Sequence, residues 1–209
     1  MTDKIRITLA QLNPTLGDLE GNAAKARSAW EKGKDAGAAI VYLPEMFITG
    51  YQTQDLVLKK GFVDHAVQQV ESLARECADG PALGIGTPWR SEGKLYNAYF
   101  ICEGGEITAR VLKHELPHKQ LFDEMRLFDV GPISGPYSVK GVRIGSPICE
   151  DAWWPDVAEA LQESGAEILV VPNGSPYHRN KLDLRMGHMV GRVVENRLPL
   201  AYLNSVGGQ

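Results

Sequence analysis

Gly37–Glu45, GAAIVYLPE, decides the reading of the fold because it recurs without gaps at Gly165–Asn173 as GAEILVVPN. Each copy opens on a glycine after a helical pattern, runs through an apolar stretch short enough to be a buried strand, and ends on proline and one polar residue. Glycine suits the left-handed C-cap of a helix, and proline stops ladder pairing where a strand leaves its sheet. A helix–strand unit used twice, with a polar group at the carboxyl end of the strand, indicates an α/β protein. In such sheets ligands gather at that edge.

Working outward from the first copy, IRITLAQL reads as a strand, NAAKARSAWEKGKDAG as a helix and FVDHAVQQVESLARECAD as an amphipathic helix. Around the second copy, PDVAEALQESG is a short helix opened by proline, KLDLRMGHMVGRVVENR a helix and LPLAYLNS a strand. Two hairpin signals lie between them. KLYNAYFICEGGEITARVLK alternates around Gly104-Gly105, and PYSVKGVRIGSPIC does so around Lys140-Gly141. Four strand exits thus supply Glu45, Lys113, Cys149 and the Asn173–Ser175 segment, and strand order decides whether they converge.

Composition narrows the function. The 209 residues, 44% hydrophobic and 23% charged, suit one compact domain over 1–209. A net charge of −4 offers no basic stripe for phosphates, so no nucleic-acid partner is expected. No apolar run approaches the roughly 20 residues that span a bilayer, and the N-terminus lacks a signal peptide's apolar segment. The expectation is a cytoplasmic protein with no membrane contact and a small soluble substrate. Three widely spaced cysteines suit neither a disulfide framework nor a zinc site, and His178 and His188 are ten residues apart, so no metal is expected.

The cysteines differ in setting. Cys77 lies in a helical pattern and Cys102 in a hairpin strand, where a thiol is ordinarily a small apolar core residue. Cys149 instead closes an apolar run and is followed by EDAWW. A thiol becomes a nucleophile as its thiolate, which needs a base or a positive charge nearby. Glu45 can be the base, and Lys113 can steady both a thiolate and an oxyanion. The backbone N–H of Glu150 is a second oxyanion donor. Against this stands a cysteine–histidine arrangement with His114, His118, His178 or His188 as base. Glu150 and Asp151 read first as acids at the N-terminus of the helix that Pro155 opens.

The motifs YLPEMFITGY, VLKHELP, LFDE, PICEDAWW and VPNGSPYHRNK resemble the nitrilase (carbon–nitrogen hydrolase) superfamily, over Ile5 to Gly208. Within it, PEMFITGY, FDEMRLF, CEDAWW, NGSPYH and NSVGGQ look most like the N-terminal glutaminase domain of glutamine-dependent NAD+ synthetase. The resemblance implies an αββα four-layer sandwich and a catalytic Glu45–Lys113–Cys149 triad that forms a thioester with glutamine. It implies a glutamine pocket at Tyr51, Phe122, Glu124, Trp153, Ser175 and Lys181. It also implies a homo-oligomer working with an NAD+ synthetase domain, with no cofactor for this part and with ATP, Mg²⁺ and deamido-NAD confined to the synthetase. Two departures stand out. Lys119 replaces a substrate-contacting aromatic, and the family's later strands and SGGxDS loop are absent, so an unpaired sheet edge and exposed apolar surface are expected. A free-standing amidase on another small amide and an inactive scaffold are the alternatives.

Overall fold

The computed structural model describes residues 4–119, 122–177, 179 and 181–207, without the side chains of Lys119 and Phe122. Its first half is β1 (Ile7–Leu9), α1 (Leu19–Asp35), β2 (Ile40–Tyr42), α2 (Lys60–Glu76), β3 (Ala82–Ser91), β4 (Lys94–Glu103) and β5 (Glu106–Leu112). A short hairpin, β6 (His118–Lys119) with β7 (Phe122–Asp123), and one helical turn, α3 (Glu124–Leu127), lead to the second half. That half is β8 (Tyr137–Val139), β9 (Val142–Gly145), α4 (Pro155–Glu163), β10 (Ile168–Asn173), α5 (Lys181–Asn196) and β11 (Leu200–Asn204).

Two sheets result, ordered β1-β2-β3-β4-β5 and β11-β10-β9-β8. The repeated segment forms equivalent inner strands: β2 pairs in parallel with β1 and β3, and β10 with β9 and β11. Gly37 and Gly165 cap the preceding helices at φ 69° and 86°, the left-handed conformation that glycine adopts without steric cost.

Period-two alternation sorts the side chains into layers. Ile40, Tyr42, Tyr99 and Ile101 of the first sheet meet Val139, Ile144, Val170 and Leu203 of the second in an inter-sheet core. Val41, Phe100 and Cys102 point the other way, into α1 and α2. Leu169 packs with α4, and Val171 with Met189 of α5. The order is helices, sheet, sheet, helices, which is the expected αββα sandwich.

The run ALGIGTPWRS, which carries no alternation, is the ten-residue strand β3, an element the periodic reading does not anticipate. It is an inner strand buried for most of its length, so both faces are apolar, and Gly84, Gly86 and Pro88 further blur its signal. Gly86 has a specific reason: a Cβ there would stand 2.2 Å from the Met46 amide nitrogen. A bare backbone lets the loop carrying Glu45 lie against β3.

Helix α5 carries the largest cluster of exposed apolar side chains among the described residues, while the edge strand β11 is half-buried. On α5, Leu182, Met186, Val190 and Val194 are 66%, 55%, 52% and 68% exposed, while its buried positions are Met189, Arg192 and Asn196. No helix of the described residues is long and apolar enough to cross a membrane.

Candidate active site

Strand direction explains why distant residues meet. β5 is antiparallel to β4, which is antiparallel to β3, so β5 runs with β2 and their carboxyl ends share one edge. Glu45 follows β2 and Lys113 follows β5. In the facing sheet β9 and β10 are parallel, so Cys149 and Gly174 leave together. The four exits converge where the two sheet edges meet.

At the centre the Lys113 ammonium, with no exposed side-chain surface, lies 2.7 Å from Glu45 Oε1. It is also 3.0 Å from Glu124 Oε1 and 2.9 Å from Oε2. Burial pulls the Lys113 pKa down, but Glu124, Glu45 and Cys149 outweigh it and hold the group well above its usual range, hence charged. Asn97 donates to Glu45 Oε1 at 2.9 Å and the Gly174 amide donates to Oε2 at 2.8 Å, so Glu45 is fixed from both sheets. The Tyr51 hydroxyl donates to Glu124, and its ring lies 5.8 Å from the Lys113 ammonium.

Cys149 opens a 3-10 turn, Cys149–Trp153, and is 5% exposed. Its φ of 49° places a non-glycine residue in the left-handed region, a strain of about 1–3 kcal/mol that clusters at working sites. Burial, then the neighbouring Glu45 carboxylate with which the thiol hydrogen-bonds, pushes its pKa well above the ordinary value against the pull of Lys113. The resting group is therefore a thiol poised beside a base. Glu150 is the next residue of the turn, so its amide follows the sulfur directly. Cys77 and Cys102 are buried among core residues, where desolvation raises them to about 11 and about 12.

Around this centre, Lys181 places its ammonium 5.5 Å from the Trp153 ring, and desolvation lowers its pKa. Ser175, buried, accepts from Arg185 at 3.2 Å, and its backbone is clasped by the Asn204 side chain. Glu124 turns its carboxylate to Lys113, Tyr51 and Asn97. The side chains of Phe122 and Lys119 lie outside the described residues, and so does His178. Lys119 belongs to the β6–β7 hairpin rather than to a plain loop. His114 pairs with the Gly131 carbonyl, His118 with Asp123, and His188 packs on Trp153 at 4.5 Å.

Two residues that the sequence reading did not assign to the site belong to this centre. Asn97 is a polar side chain in the alternating strand β4 and is 1% exposed, a mismatch that is itself a signal. Asp151 is an acid of a helix start, as expected, in the first turn of the 3-10 segment that precedes Pro155, but it does more than cap that turn. It is 1% exposed and accepts the backbone N–H groups of His114, Glu115 and Ile148, while burial pushes its pKa up to about 7.

A buried thiol and a buried ammonium that share one carboxylate are the groups acyl transfer uses. The family model described as carbon-nitrogen hydrolase matches residues 6–209. The chain belongs to that family. Among its curated relatives this carbon-nitrogen hydrolase is 59% identical, over all 209 residues, to a glutamine-dependent NAD(+) synthetase of Rhodobacter capsulatus, covering 38% of that protein. It is 37% identical to one of Xanthomonas campestris pv. campestris (strain 8004), with 98% of this chain and 38% of that protein aligned. A solved glutamine-dependent NAD+ synthetase from Acinetobacter baumannii, in complex with ADP, superposes at TM-score 0.92 and 27% identity over 98% of this chain and 39% of that one. An amidase from Nesterenkonia sp. shares the fold at TM-score 0.85 and 24% identity, over 98% of this chain and 77% of its own. The chain thus spans less than two fifths of the length of the synthetases it matches.

Proposed function

We propose that this carbon-nitrogen hydrolase is a glutamine amidohydrolase, the ammonia-producing part of glutamine-dependent NAD+ synthesis. One observation carries the reading: Glu45 contacts both the Lys113 ammonium and the Cys149 thiol in a buried centre. Glu45 takes the thiol proton as the sulfur attacks the carboxamide carbon of glutamine. Lys113 and the Glu150 amide steady the oxyanion. Glu45 then protonates the departing ammonia, leaving a γ-glutamyl thioester. Water, deprotonated by Glu45, attacks the thioester; glutamate leaves, and the proton returns to Cys149. Each proton has one carrier throughout.

Tyr51, Phe122, Glu124, Trp153, Ser175 and Lys181 line the glutamine pocket in this account. Lys181 is the cation best placed for the substrate carboxylate, since its ammonium is half-buried on Trp153. Glu124 acts chiefly by sharing Lys113. The chemistry uses side chains and water alone; ATP, Mg²⁺ and deamido-NAD enter at a synthetase domain, to which the ammonia passes. The outward apolar face of α5 supports self-association, because apolar patches of that kind mark interaction surfaces. Val190→Asp should then shift the sedimentation profile towards monomer.

Ammonia release from glutamine, asparagine and α-ketoglutaramate tests the substrate. Preference for glutamine is the expected result. Preference for α-ketoglutaramate would make the chain an amidase of another specificity.

A further inference from the structure

Three backbone amides point at the Asp151 carboxylate. Oδ1 accepts from His114 at 3.0 Å and Glu115 at 2.6 Å, and Oδ2 accepts from Ile148 at 2.9 Å. These amides flank the two working residues: Ile148 precedes Cys149, and His114 and Glu115 follow Lys113. The two segments come from different sheets. Lys113 leaves β5 and is tied to its own sheet through the Asn97 carbonyl at 2.9 Å, whereas Cys149 leaves β9 on the other sheet. Asp151 itself belongs to the nucleophile's 3-10 turn, where its amide donates to the Ile148 carbonyl at 3.0 Å. One side chain therefore bridges the lysine exit and the nucleophile exit across the gap between sheets.

We propose that Asp151 is a positioning residue for the hydrolysis. It does not touch the reacting atoms; it fixes the separation and orientation of Lys113 and Cys149. This rests on the reading of Cys149 as nucleophile and Lys113 as its oxyanion partner. Only a carboxylate meets the geometry, because the site presents three donors and no acceptor. Asparagine has nearly the same volume, but its NH₂ must face either the Ile148 amide or the His114–Glu115 pair. Asp151→Asn therefore changes acceptor number while leaving packing almost untouched.

The test is a double-mutant cycle of Asp151→Asn with Lys113→Ala, read by ammonia release, together with amide hydrogen exchange. Displacing a nucleophile from its partner by about an ångström costs on the order of 10²-fold. The expected result is a kcat loss of about that size with KM little changed, and a much smaller loss when Lys113 is already absent. Exchange at Ile148, His114 and Glu115 should accelerate in Asp151→Asn while amides of β4 stay protected. A near-normal kcat, a change confined to KM, or equal losses on both backgrounds would overturn the proposal. Should the variant fail to fold, exchange in the wild-type chain decides: the three amides must be among the slowest, and rapid exchange there would overturn it. A wild-type chain inert towards every amide would instead sink the hydrolase reading, with the exchange result still judging the clamp.

Discussion

Glu45 holds Lys113, Asn97 and the Gly174 amide on two oxygens while accepting the thiol, so its charge and its shape matter separately. Glu45→Gln keeps the shape and removes the proton acceptor, and ammonia release should fall by about 10²- to 10⁴-fold. Turnover within a few-fold of wild type would move the base role elsewhere. Lys113 has a second duty, since it neutralises two buried carboxylates. Lys113→Ala should lower stability by about 3–5 kcal/mol, read by denaturant titration, beyond its effect on rate. An unchanged midpoint would mean the two acids had not needed it. The raised Cys149 pKa sets a pH dependence. Alkylation by iodoacetamide should be slow near neutrality and keep rising past the ordinary thiol range, about 8.5, with glutamine protecting. A plateau below that range would show that Lys113 dominates and the resting group is a thiolate.

Elements carried different amounts of their signal in the sequence. The echo GAAIVYLPE/GAEILVVPN was legible because capping glycine and terminal proline have strong local meanings, and both copies became inner parallel strands. The hairpins at Gly104-Gly105 and Lys140-Gly141 were legible for the same reason. Strand β3 was not, since a strand buried on both faces has no period to read. Only the local part of Asp151's role was legible: a place at a helix start suits its bond to the Ile148 amide, whereas its other partners, His114 and Glu115, are 37 and 36 residues away. Gly86 tests how closely the element scale controls the site. Gly86→Ala would press a methyl into the Met46 backbone, costing about 1–3 kcal/mol of stability and displacing Glu45. A variant as stable and active as wild type would show that the loop has room to move.

Across the whole molecule, the site exists only because two sheets face each other in register. Apart from apolar packing, a part-buried hydroxyl chain ties them: Tyr42 to Tyr137 at 2.5 Å and Tyr137 to Ser146 at 2.7 Å. Tyr137→Phe leaves two hydroxyls short of a partner and should cost about 1–3 kcal/mol by thermal melting, with the folded variant still releasing ammonia normally. A large loss of turnover at full stability would mean that the chain reaches the site itself. Whether Cys149 carries the acyl group of an amide substrate is decided by acid-quenching the chain during glutamine turnover and locating the adduct by intact mass and peptide mapping. A γ-glutamyl thioester should accumulate on the peptide containing Cys149 in wild type and be absent from Cys149→Ala. Ammonia release without any adduct on Cys149, or release that survives Cys149→Ala, would contradict it.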